Sequence, residues 1–137
     1  MLITRRIDFS ASHVCANPAW SRTRNEAVYG EASHPGGHGH NYVLEVTLEG
    51  DPDPVTGMVI DLKRVKDILE EEVMRPMDHR HLNYEVPAFA QTAPTTENLA
   101  IEIWRRLRPR FAGTARLHNV RLYETEDLYV DFQGREA

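Results

Sequence analysis

The sequence predicts an α+β fold: a four-stranded antiparallel sheet with two helices on one face, in the order ββααββ. Three observations predict it. Strand-like segments come in two neighbouring pairs, two stretches of helical periodicity lie between those pairs, and turn or helix-stop residues punctuate the series. Residues 1–137 read as one domain, without repeats.

Leu2-Ile3-Thr4-Arg5-Arg6-Ile7-Asp8-Phe9 reads as the first strand, and strand-like sequence continues through Ser10-Ala11-Ser12-His13. Residues 16–37 are polar, contain Pro18 and Pro35, and are expected to form a long loop of the kind that usually carries function. Tyr42-Val43-Leu44-Glu45-Val46-Thr47-Leu48-Glu49 alternates as a second strand. A turn follows at Asp51-Pro52-Asp53-Pro54-Val55-Thr56-Gly57.

Asp61 is expected to cap a helix that runs to about Met74, where Pro76 stops it. Leu62, Val65, Ile68, Leu69 and Val73 form its apolar stripe. Thr95-Thr96-Glu97-Asn98 opens a second helix, with Leu99, Ile103 and Leu107 on one face and Pro109 and Gly113 closing it. Residues 115–125 and 128–132 are the last two strands, joined by a tight acidic turn at Glu126-Asp127. Such a sheet has two open edges, and edge-to-edge association of subunits into a larger barrel is one way to cover them.

Composition limits the function classes. The formal net charge of −5 argues against a nucleic-acid or anionic-membrane surface, while leaving room for a local cationic site that takes a phosphorylated small molecule. No apolar run approaches membrane-spanning length and no signal-peptide core is present, so a cytoplasmic protein is expected. The single cysteine, Cys15, excludes an internal disulfide and a cysteine-rich zinc module.

The segment His38-Gly39-His40-Asn41-Tyr42 is the chief chemical signal. In a strand, His38 and His40 project from the same face, and His13 joins them if the two segments pair. Three neutral imidazoles leave one tetrahedral position open, the pattern of a catalytic rather than a structural zinc. The spacing alone is weak, since a chain with seven histidines gives about 0.35 such pairs by chance.

Asp78-His79 follows the first helix, and a carboxylate beside an imidazole suits a general acid–base or an exposed loop pair. Thr95 and Thr96 suit either a helix cap or a polar-ligand site. Glu124, in Leu122-Tyr123-Glu124-Thr125, is a solvent-facing strand residue or an acceptor for a planar amidine-like edge such as a purine or pterin ring. Cys15 is either a reactive thiol or a small buried hydrophobe.

Together these segments resemble the 6-pyruvoyl-tetrahydropterin synthase family, which includes the bacterial 6-carboxytetrahydropterin synthases of the queuosine pathway. Phe9-Ser10-Ala11-Ser12-His13 and Gly37-His38-Gly39-His40-Asn41-Tyr42 match its zinc motifs. Asp53-Pro54-Val55-Thr56-Gly57-Met58-Val59 and Pro76-Met77-Asp78-His79-Arg80-His81-Leu82-Asn83 match its connecting motifs. Thr95-Thr96-Glu97-Asn98 and Tyr123-Glu124-Thr125 match its pocket motifs.

The resemblance implies a tunnelling fold, with ββααββ subunits assembled into a barrel as a homohexamer of two stacked trimers. It implies Zn2+ on His13, His38 and His40, and a pterin ring held by Glu124 with help from Thr95 and Thr96. Asp78 and His79 would be catalytic. The substrate would be the small molecule 7,8-dihydroneopterin triphosphate, converted to a pyruvoyl product with loss of triphosphate, or in the bacterial branch to a carboxy product with loss of acetaldehyde.

One departure stands out. The family's catalytic thiol precedes the HGH motif, and in Tyr29-Gly30-Glu31-Ala32-Ser33 that position is Ala32. An engineered Cys-to-Ala change, a substitute base at Glu31 or Cys15, and a loss of synthase activity in a pterin-binding homologue are the three explanations.

Overall fold

The computed structural model describes residues 1–134 and places two long strands at its centre. β1 (Leu2–His13) and β2 (His38–Glu49) pair antiparallel along their whole length, from Leu2↔Glu49 to His13↔His38. A two-residue strand β3 (Arg80–His81) lies parallel to β1 on its outer side. β4 (Arg116–Thr125) joins β2, and β5 (Leu128–Phe132) joins β4, both antiparallel. The order is β3-β1-β2-β4-β5, so the sheet is mixed and five-stranded rather than four-stranded and antiparallel. β3 is too short to show an alternation; the chain around it fixes it, with the His79 N–H donating to the Ser10 carbonyl at 2.6 Å.

The helices differ from expectation in three places. The expected loop contains α1 (Arg22–Tyr29) and a 3-10 turn, Gly30–Ser33. Ser21 caps α1 by accepting the Arg24 N–H, and buried Asn25 bonds Asn17 through both ends of its amide. α1 carries no apolar stripe, so periodicity could not reveal it.

α2 (Leu62–Leu69), capped by Asp61, widens into a π-helical turn, Glu70–Met74, and ends in the short helix α3 (Arg75–Met77). Pro76 therefore does not stop the helix. The Glu72 carbonyl, the acceptor that an α-helical N–H at position 76 would have used, receives Arg106 Nη1 at 3.4 Å instead. A four-residue helix α4 (Leu82–Glu85) precedes α5 (Thr96–Leu107), whose cap Thr95 accepts the Asn98 N–H at 3.2 Å.

Both long helices cover one face of the sheet. Tyr42, Leu44, Val46 and Leu48 alternate inward along β2 and share one apolar cluster with Val65, Ile68 and Leu69 of α2 and Leu99, Ile103 and Leu107 of α5. Phe9 and Ala11 of β1 and Leu122 of β4 belong to the same cluster. His13 is the next inward residue after Ala11, at the end of that buried row. No helix among the described residues is long and apolar enough to cross a membrane.

Candidate active site

The β1–β2 register builds the histidine cluster. His13 faces His38, and Ala11 faces His40, so all three rings leave the core face at one end of the strands. The ring centroids of His13 lie 4.6 Å from those of His38 and 5.1 Å from those of His40. One ligand atom from each residue falls within 4.8 Å of the others.

This donor set fits zinc. Nε2 of His13 and Nε2 of His38 are 3.0 Å apart, close to the roughly 3.3 Å between nitrogens that each sit about 2.0 Å from a tetrahedral ion. His40 Nε2 is buried without an aligned hydrogen-bond partner, although Glu124 Oε1 is 3.2 Å away. His13 is fully buried, and its Nδ1 lies 2.7 Å from the Pro94 carbonyl oxygen. A carbonyl only accepts, so Nδ1 holds the proton and Nε2 is left free to coordinate.

For His13 and His40 the electrostatics favour the neutral ring. Burial pushes the His13 imidazole below its ordinary value, opposed by the hydrogen bond to Pro94. Burial does the same to His40, opposed by the Glu124 carboxylate. Glu124 comes from β4 and stands 3.8 Å from His13 Nε2, so it borders the cluster directly. Its carboxylate is only partly exposed, a suitable state for a charge-assisted bond to a planar N–H edge.

Asp78 and His79 are not in this cluster. Asp78 accepts the Ser10 N–H at 2.9 Å through Oδ1 and holds His79 Nδ1 at 2.9 Å through Oδ2. Burial raises the Asp78 carboxyl, but the bonds from Ser10 and His79 outweigh it and leave it below its ordinary value. His79 has a positive φ of 59° and a side chain 83% exposed. It lines a cavity of about 470 Å³ with Ser10, Ser12 and Asn41, which project from the sheet face opposite to His13 and His38. His40 also borders that cavity. Among the described residues no hydrogen bond joins His79 to the histidine cluster or to Glu124.

Thr95 spends its polar groups on local structure, its N–H donating to the Ala93 carbonyl and its hydroxyl capping α5. Thr96 is buried beside it. Ala32 lies in the 3-10 turn, and its carbonyl accepts the Cys15 N–H at 2.9 Å. Arg22 Nη1 holds the same turn through the Ser33 carbonyl at 3.0 Å. Cys15 is buried, 3.9 Å from His13 Nδ1, and its thiol is pushed up to about 11 by burial, then by Glu124 and Glu97. A thiol so raised is protonated at neutral pH and a poor base. Glu31 is exposed on the turn.

A sequence model described as 6-pyruvoyl tetrahydropterin synthase matches residues 2–135. The chain belongs to this family. It is 43% identical to the 6-pyruvoyl tetrahydrobiopterin synthase of Pongo abelii and 42% identical to that of Homo sapiens, each over 96% of this chain and 90% of the relative. The solved structure of Caenorhabditis elegans 6-pyruvoyl tetrahydropterin synthase superposes with a TM-score of 0.93 at 33% identity, covering 98% of this chain and 96% of that one.

Membership of the pyruvoyl tetrahydropterin synthase family leaves several contributors that residue types alone did not single out. Pro94 and Tyr42 surround His13 Nδ1, with the Tyr42 hydroxyl 3.5 Å away. Asn83 clamps Val14, next to His13, by accepting its N–H at 2.8 Å and donating to its carbonyl at 2.9 Å. Asn83 and Asn98 each lie inside a matched motif, which was the available signal; backbone partners such as Pro94 leave none.

Proposed function

We propose that the chain is a zinc-dependent lyase that eliminates triphosphate from 7,8-dihydroneopterin triphosphate to give a 6-pyruvoyl tetrahydropterin. The convergence of three imidazoles beside the Glu124 carboxylate carries this reading, in a chain whose relatives bear that synthase name. His13, His38 and His40 would hold the ion through ring nitrogens. When bound, zinc would supply Lewis acidity toward the side-chain hydroxyls of the substrate.

The residues of the chain supply the rest. Glu124 would accept two N–H bonds from the pterin edge and so fix the ring. Thr95 builds the turn that brings Thr96 alongside. His79, oriented by Asp78, would exchange protons with the side-chain carbons as triphosphate leaves and two hydrogens pass to the ring. His79 lines a cavity with Ser10, Ser12 and Asn41 of the opposite sheet face, and it would serve the pocket of a neighbouring copy. That role supports a homohexamer of two trimers closed through the exposed sheet edges at β3 and β5. A stable monomer in sedimentation would contradict that assembly. One free cysteine suits a cytoplasmic enzyme.

Ala32 favours a second arrangement of the proton chemistry. It has no transferable proton, Cys15 is held protonated, and the Glu31 carboxylate adjoins the position, so Glu31 would act as the base. The same substrate could then partition to the 6-carboxy product with acetaldehyde, or the chain could bind pterin without turnover. The test of metal dependence is triphosphate release before and after chelation: the reading requires loss on chelation and recovery with Zn2+, and metal-independent turnover would overturn it.

A further inference from the structure

His13 is positioned from outside the cluster it enters. Its Nδ1 donates to the Pro94 carbonyl at 2.7 Å. Pro94 is the apex of a tight turn in which the Thr95 N–H donates to the Ala93 carbonyl at 2.9 Å. Proline fixes φ, so the direction of the Pro94 carbonyl depends on the ψ that this turn sets. The Ala93 carbonyl accepts a second bond, from Asn98 Nδ2 at 2.9 Å. The Asn98 backbone N–H meanwhile donates to Thr95 Oγ1 at 3.2 Å. Asn98 thus ties both ends of Ala93-Pro94-Thr95 to the first turn of α5.

We propose that Asn98 is a positioning residue for His13: by locking the 93–95 turn it aims the Pro94 carbonyl at Nδ1, and thereby fixes the tautomer and orientation in which Nε2 meets the metal. The inference rests on the metal-centre reading above and adds a residue that touches neither metal nor substrate. Its consequence reaches the substrate side as well. Thr95 belongs to the same turn and Thr96 follows it directly, so the proposed seating of the pterin and the orientation of His13 depend on one set of hydrogen bonds.

Two substitutions separate positioning from simple stability. Asn98→Ala removes the side-chain donor. Asn98→Asp also removes it, but an acidic residue in the first turn of a helix favours the helix, so α5 is retained. By Coulomb attraction alone the added negative charge would tighten binding of a cation. Lost orientation would weaken it. Groups that orient a metal-bound histidine commonly matter 10- to 100-fold in affinity, and a residue one bond further out is expected to change it about tenfold.

The experiment is Zn2+ affinity by competition with a chelating dye, with the His13 Nδ1–H resonance followed by NMR in the same samples. Affinity weakened about tenfold in both variants, with the Nδ1–H resonance shifted or broadened, supports the proposal. Affinity within twofold of the unaltered chain in a folded Asn98→Asp protein, with that resonance unchanged, overturns it. Failure of the unaltered chain to bind Zn2+ overturns the metal-centre reading and this inference with it, whereas an effect missing only in the variants overturns the role of Asn98 alone.

Discussion

Nε2 of His13 and Nε2 of His38 face one another at 3.0 Å, from residues that are direct partners across β1 and β2. The register therefore sets the spacing of the two nitrogens. A one-residue slip would send either ring to the opposite face of the sheet. Replacing any one of His13, His38 or His40 with Ala is expected to lower Zn2+ affinity more than 100-fold. Bound zinc by mass spectrometry after dialysis against the free ion checks it, and retained stoichiometry in all three variants would contradict it.

A pH dependence follows from the same burial. His13 and His40 are both held below the ordinary histidine value of 6.5. As pH falls through 6.5 the unfolded chain takes up protons that the folded chain resists, so the stabilisation present above that value is lost on acidification. The metal-free protein should show a thermal midpoint that declines between pH 7.5 and 5.5, and His40→Gln should flatten the decline. An identical slope in His40→Gln would count against the burial argument.

The backbone at His79 allows chemistry and stability to be separated. At a φ of 59° a side chain beyond glycine is disfavoured by about 1 kcal/mol. His79→Gly should therefore unfold at higher denaturant than His79→Ala, by about 1 kcal/mol. Both should lose roughly 10²- to 10⁴-fold in kcat if the imidazole moves protons. Equal stability of the two variants would refute the strain, and unchanged kcat would refute the role.

Glu124→Gln removes the charge but keeps the shape. A hydrogen bond to a charged group contributes about 1.5–3 kcal/mol, so KM for the pterin should rise roughly 10- to 100-fold. Steady-state kinetics on the unaltered and altered chains decide this, and an unchanged KM would remove Glu124 from ring recognition.

The position of Ala32 leads to a comparison of three changes. Glu31→Gln is expected to slow triphosphate release at least about 100-fold, and Cys15→Ser to leave it within a few-fold. Ala32→Cys should restore turnover to the Glu31→Gln chain. Full activity in Glu31→Gln with loss in Cys15→Ser would assign the base to Cys15 instead.

Much of this architecture was readable from residue order, because alternation over β1, β2, β4 and β5 and the stripes of α2 and α5 record burial on one face. Even the convergence of His13, His38 and His40 followed from alternation plus one assumption about pairing. Other features left no such record. α1 is held by Ser21 and Asn25 rather than by an apolar stripe, and β3 has only two residues. Pro76 looked like a helix stop because the carbonyl it leaves is served by Arg106, 34 positions away in sequence. The placement of His79 beside Ser10 rather than against His13 depends on how β3 docks on the β1 edge, and adjacency to Asp78 does not encode that.

The most direct test of the whole account is product analysis after incubating the zinc-loaded protein with 7,8-dihydroneopterin triphosphate. The account predicts one equivalent of inorganic triphosphate and one of 6-pyruvoyl tetrahydropterin. Acetaldehyde with a 6-carboxy product, or intact substrate bound without turnover, would contradict it.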